Sequence, residues 1–267
     1  MKTVGLLHSF MVIMLLLHRE NIQIVKLKKR LLMKRTILSL IVSAMLPAAA
    51  VAQPKLCGNL IHANGWTGSS YTDPYGIYSF NAADPSLKLS TEATGRYMDG
   101  TGGGVADNEN LYLYNVEIED GIASGHVYKM SREDYHSSSY GYIGSYADVP
   151  TALTWDASAN KFYGCFYNYG GDAYQFGTVD LTVRRATKIL ISKISERMVA
   201  LADNDEGTLY AIGKSGKLYT VNPVNGSFTE VGETGIKPSE KIQSAYYDEG
   251  TIYWAAQTDD GKSSLYK

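Results

Sequence analysis

Aromatic and charged side chains gather in four irregular stretches of this 267-residue chain: Arg96, Tyr97 and Asp99; Tyr167, Tyr169, Asp172 and Tyr174; Glu196 and Arg197; and Asp259 and Asp260. A phenol ring offers a flat apolar face with a polar tip, and carboxylates and amides offer acceptors. That combination suits a sugar ring, whose C–H faces stack on aromatics while its hydroxyls find acceptors. Tyr97, Asp99, Tyr167, Tyr169, Asp172, Tyr174 and Arg197 are therefore the candidate ligand-binding residues. The competing explanation for each tyrosine is that it caps a strand, since tyrosine favours half-buried sheet surfaces.

Other chemistries find less support. The acidic runs Asp203-Asn204-Asp205-Glu206-Gly207 and Asp107-Asn108-Glu109-Asn110 cluster the hard oxygens that calcium takes. They lack the remaining ligands and the spacing of a calcium-binding helix-loop-helix, and Asp, Asn and Gly at such places are accounted for by hairpin turns. No G-x-S-x-G, H-E-x-x-H or phosphate-binding loop occurs. His62, His126 and His136 show no metal spacing, and Cys57 and Cys165 read as separate buried thiols. No catalytic residue, metal ligand or cofactor is assigned; calcium is the one ion these turns leave open.

The elements that must position these residues repeat. A turn followed by an aromatic strand occurs at Asp107–Tyr112, Asp156–Tyr163, Asp205–Tyr210 and Asp248–Tyr253. A second motif follows at Gly76–Phe80, His126–Met130, Phe176–Asp180, Lys217–Val221 and Ser264–Tyr266. Both recur at a period of about 40 to 50 residues, which is that of a four-stranded β-propeller blade. The fullest copy, Ala202 to Gly235, predicts strands over 197–202, 208–212, 217–222 and 227–231. The preceding unit predicts strands over 151–155, 161–167, 175–181 and 186–191, and the one before it 102–106, 111–116, 125–130 and 140–146. An initial unit supplies 56–62, 76–81 and 87–91 without an inner strand, and a last one stops after its third strand. The fold class is thus all-β: a propeller of four-stranded antiparallel blades, about five whole or partial, in a ring that is either incomplete or closed as five blades with one thin. In such a ring the four irregular stretches gather over one mouth of the central channel.

Charge and composition agree. Subtracting the eight Lys/Arg and one acidic residue of the first 52 positions from the totals of 25 and 27 leaves 17 basic and 26 acidic residues, a net charge of −9 over residues 53–267. An acidic domain with no basic stripe repels phosphate backbones, so nucleic acid is not an expected partner. From Met33 a basic start (Lys34, Arg35), an apolar run over 37–46 and the motif Ala50-Val51-Ala52 make up a secretory signal peptide, cleaved after Ala52. Residues 1–32 read as an over-extended N-terminus. Their apolar run over 4–17 is shorter than the roughly 20 residues of a membrane span, so 53–267 is expected to be exported, to the periplasm, cell surface or medium, with no stable span. The missing outer strand of the last unit makes the chain read as a piece of a longer protein.

Gly216-Lys217-Leu218-Tyr219-Thr220-Val221-Asn222-Pro223-Val224-Asn225-Gly226-Ser227-Phe228-Thr229-Glu230-Val231-Gly232 resembles the G-x-L-Y-x-V-[DN]-P-x-[TN]-G-x-x-T-x-V-G blade signature of exported bacterial propellers. The resemblance implies such a scaffold, set beside adhesion or fibronectin-like modules and binding surface ligands. Asp205-x-Gly207-x-x-Tyr210 and Asp248-x-Gly250-x-x-Tyr253 are similar to the aspartate box of sialidase propellers, without its leading serine and its tryptophan. The expected function is a secreted or cell-surface, non-catalytic propeller that binds glycan or protein ligands as part of an adhesin. A polysaccharide-acting hydrolase or lyase and a structural spacer are the alternatives.

Overall fold

A computed structural model describes residues 10–14, 55–61, 76–81, 90–94, 102–119, 122–143, 148–204 and 206–267, and every regular element among them is a β-strand. The first sheet holds β1 (Phe10–Met14), β2 (Lys55–Ile61), β3 (Gly76–Asn81) and β4 (Ser90–Thr94) in that order. The second runs from β5 (Gly103–Ala106) through β6 (Asn110–Glu119) and β7 (Ile122–Ser131) to β8 (Ser137–Ile143). The third runs from β9 (Asp148–Asp156) through β10 (Lys161–Asn168) and β11 (Ala173–Val179) to β13 (Lys188–Ile194). Between β11 and β13, the two-residue β12 (Arg185–Ala186) leaves its own sheet and pairs in parallel with β8. The fourth sheet is β14 (Met198–Asp203), β15 (Leu209–Gly213), β16 (Lys217–Val221) and β17 (Phe228–Glu233). The fifth has three strands, β18 (Ser244–Asp248), β19 (Thr251–Gln257) and β20 (Ser263–Tyr266).

Each sheet is a meander whose first strand lies innermost. The inner strands follow one another as β1, β5, β9, β14 and β18, and β18 also touches β1 and β5. Four full blades and a three-stranded fifth sheet thus surround one axis, the β-propeller that the repeat predicts. The inner position of the first sheet, left without a strand by the sequence period, is taken by Phe10–Met14, paired with Lys55–Ile61. The leader of 1–32 and the signal of 33–52 otherwise lie outside the described residues.

Alternation along each strand sends neighbouring side chains to opposite faces, and each face packs on the next blade. Tyr112, Tyr114 and Val127 of the second sheet meet Leu153, Trp155, Phe162 and Phe166 of the third. Tyr163, Cys165 and Phe176 on the third sheet's other face meet Leu201, Leu209 and Ala211 of the fourth. Val199, Ala202 and Ile212 then meet Ala245, Trp254 and Ala256 of the fifth. Tyr112, Tyr114, Phe166 and Phe176 are fully buried, and each such side chain contributes about 2 kcal/mol by leaving water. Cys165 lies in this packing as a free thiol, pushed up in pKa by burial.

The outer strand of every full blade carries a one-residue β-bulge. The register of β3 on β4 skips Glu92, β7 on β8 skips Ser138, β11 on β13 skips Ile191, and β16 on β17 skips Val231. The hairpin joining β16 and β17 closes on Gly226, at φ 67°, where a Cβ would stand 2.2 Å from the Ser192 hydroxyl. Ser192 donates to the Gly226 carbonyl at 2.8 Å, which ties the outer strand of the third blade to the fourth.

Candidate functional site

Inner strands that run the same way put their starting ends, and the hairpins between second and third strands, at one mouth of the channel. The third-blade hairpin there carries four of the candidate residues. Tyr167 and Tyr174 are register partners at the end of β10 and the start of β11, with ring centroids 5.1 Å apart. Tyr169 meets Tyr167 edge-on at 4.6 Å and is 49% exposed. The Tyr167 hydroxyl donates to Asp172 Oδ1 at 2.5 Å, and Asp172 holds the turn at φ 44°. That hydrogen bond, then loss of solvent and the carboxylate charge, push the Tyr167 phenol up to about 12. Tyr167 is therefore a neutral donor at any physiological pH.

The hairpin is anchored from below. Gly171 N–H donates to Asn168 Oδ1 at 2.6 Å, and Asn168 Nδ2 donates to Asp148 Oδ1 at 2.6 Å, at the start of the inner strand. Lys188 donates to Asp148 at 2.7 Å and also to Gln175 Oε1, with its ammonium 5.7 Å from the Phe166 ring. The side chains of Lys188 and Asp148 are 7% and 16% exposed, so this is a half-buried ion pair completed by amide hydrogen bonds.

The other sequence candidates divide. Tyr97 and Asp99 lie outside the described residues. Arg197 stands at the head of β14, half-buried, with a buried Nε that has no hydrogen-bond partner, and its carbonyl accepts from Lys214 N–H at 2.8 Å. Its neighbour Glu196 is occupied, accepting from Ser215 N–H and hydroxyl at 2.9 Å each and from the Tyr219 hydroxyl at 2.6 Å. Asp259 accepts from Lys214 at 2.8 and 3.0 Å, and Asp260 from Lys262 at 2.5 Å. Sequence reasoning missed a small cavity at the head of β18, lined by Lys241, Gln243, Gln257 and Ser263 over Ile242 and Ala255. No local pattern marks these residues, because blade closure brings them together.

The acidic turns lie at the opposite end, where the inner strands finish. Asp107 Oδ1 accepts from Glu109 and Asn110 N–H at 2.8 and 2.7 Å, and its Oδ2 from the Tyr112 hydroxyl at 2.8 Å. Asp156 accepts from Ser158 Oγ and Ala159 N–H, and Asn204 from Glu206 and Thr208 N–H. These oxygens hold hairpin turns. Among the described residues no three His, Cys, Asp or Glu side chains converge as a metal site, and no helix is long and apolar enough to cross a membrane.

No protein-family model and no curated protein matches the chain. Solved structures do. At 13% identity and a TM-score of 0.50, the chain is similar to CoXyl43, a GH43 β-xylosidase/α-arabinofuranosidase from a compost microbial metagenome solved in calcium-free form with xylotriose. The match covers 78% of this chain and 82% of that one. The periplasmic gluconolactonase PpgL of Pseudomonas aeruginosa matches at 11% identity and a TM-score of 0.42, over 74% of this chain and 64% of its own. TolB of Acinetobacter baumannii matches at 12% and 0.42, over 79% and 50%. At these identities what is shared is the fold.

Proposed function

We infer that this chain is an exported, non-catalytic β-propeller that binds a glycan at the channel mouth where the inner strands begin. The observation that carries this reading is the third-blade hairpin, where Tyr167, Tyr169 and Tyr174 form one aromatic cluster fixed by Asp172. Rigid tyrosines supply apolar contact at low entropic cost, and the carboxylate beside them accepts from hydroxyls. The carboxylates of this face support binding over hydrolysis. Asp148, Asp172, Glu196 and Asp259 each accept hydrogen bonds from protein donors that hold this face together. Export rests on the sequence of residues 33–52.

The test is titration calorimetry of the full chain against a panel of neutral and acidic oligosaccharides, with product analysis of each mixture. Xylo-oligosaccharides belong in the panel because the glycosidase of similar fold was solved with xylotriose. Tyr169→Ala removes an exposed ring and should weaken binding by roughly 5- to 100-fold, the range for one stacked aromatic, without lowering Tm. Absence of binding across the panel, or release of shortened sugars, would overturn the reading.

A further inference from the structure

Resting on that glycan reading, we propose that the same mouth selects an acidic sugar, with Arg197 gripping a uronate carboxylate and the cavity at the head of β18 taking a hydroxyl. Gln243 N–H donates to the Val199 carbonyl at 3.1 Å, which sets the heads of β14 and β18 side by side. Arg197 and Lys241 each stand two residues upstream of these partners, so two cations stand near one another at a mouth where Lys214 and Lys262 are ion-paired with Asp259 and Asp260. Arg197 has no ion pair among the described residues, and its Nε is buried without a partner. A guanidinium presents a planar fork of donors that matches a carboxylate, and a ligand carboxylate would supply the missing counter-charge.

Gln243 adds a second, independent demand. Its Nε2 donates to the carbonyls of Ser239 at 3.2 Å and Gln257 at 3.0 Å, which fixes the orientation of the amide. Its Oε1 is left buried with no partner, and Gln243 lines the cavity together with Ser263 and Lys241. A buried acceptor of this kind costs free energy until a donor reaches it, and a sugar hydroxyl is such a donor. One ligand residue bearing both a carboxylate and free hydroxyls meets both demands; a neutral sugar meets only the second.

The tyrosine hairpin lies within reach. Tyr174 is the register partner of Ile194, and three further residues lead from Ile194 to Arg197. With about 5 Å across the strand pair and at most about 11 Å from Ile194 to Arg197, the Cα atoms of Tyr174 and Arg197 lie within about 16 Å, a length that about three sugar units span. The ligand chemistry is a short uronate oligosaccharide, stacked on the hairpin with a carboxylate at Arg197.

Calorimetry of the full chain with galacturonate, glucuronate and mannuronate trimers, each beside its neutral counterpart, tests this. The expected result is tighter binding of an acidic trimer, weakening as salt is raised. Arg197→Gln should cost that trimer roughly 10- to 100-fold, the size of a charge-assisted hydrogen bond, while leaving the neutral sugar unchanged; Arg197→Lys should recover part of the loss. Tyr169→Ala should weaken both. Equal or tighter binding of the neutral trimers, or an unchanged affinity in Arg197→Gln, overturns the acidic preference and leaves the glycan reading standing if Tyr169→Ala still weakens binding. If no trimer binds, both fall.

Discussion

Tyr167 shows how one hydrogen bond can fix an aromatic cluster. Its phenol donates to Asp172, and the bond raises its pKa from an ordinary 10.0 to about 12. The folded protein holds that proton more tightly than the unfolded chain, so the stabilisation is fully present below about pH 10 and disappears as pH rises through 12. A spectrophotometric titration of phenolate absorbance should therefore contain a component near 12 that Tyr167→Phe removes; an unchanged curve would mean that the bond does not hold in solution. Lys188 and Asp148 carry a larger load beneath it. Replacing Lys188 by Met leaves a half-buried carboxylate without its cation, though Asn168 still donates to it, and should cost about 1–3 kcal/mol. Pairing that change with Asp148→Leu should return much of the loss in a denaturant melt, because the unpaired charge is gone.

At the level of elements, the turn residues determine most of what can be checked. Gly226→Ala puts a methyl group into the Ser192 hydroxyl at a left-handed φ, and should lower stability by about 1–3 kcal/mol, read as a drop in Tm with glycan binding retained. This blade was legible in the sequence because its geometry is local. Alternating apolar residues and Asn-Gly or Ser-Gly turns placed its four strands within two residues of their observed ends. The third blade was less legible. Its outer strand was expected over 186–191 and runs from Lys188 to Ile194, because Arg185 and Ala186 pair with β8 of another blade, a contact that no local period encodes. The second blade's long hairpin, laddered out to Glu119 opposite Ile122, did have a signal: the Asp120-Gly121 pair favoured in two-residue hairpins. Of the site, the sequence marked the tyrosine hairpin, where the residues are adjacent, and Arg197. Lys241 and Gln243 were invisible, since only the meeting of inner strands gives them their roles.

For the whole molecule, Phe10–Met14 raises a question of processing. Cleavage after Ala52 would leave β2 as the innermost strand of the first sheet, and the faces of β5 and β18 that touch β1 would lose that neighbour. The chain lacking residues 1–52 should then melt below the full chain while keeping the stacking affinity that Tyr169 supplies, because the tyrosine hairpin belongs to the third blade and not to the fifth sheet that touches β1. Loss of binding together with loss of the strand would show that the site depends on the complete ring.

The bulged outer strands set how copies of this domain behave when crowded. A bulge breaks the even row of N–H and C=O groups that another strand would need and twists the margin away. Breaks of this kind make the margins of β4, β13 and β17 poor templates, and β8 of the second blade is covered by β12 besides. Molecules packed densely on a surface, or concentrated in a tube, can therefore slide past one another on these four sides. Self-association through these margins should be low in order even when the domain is crowded.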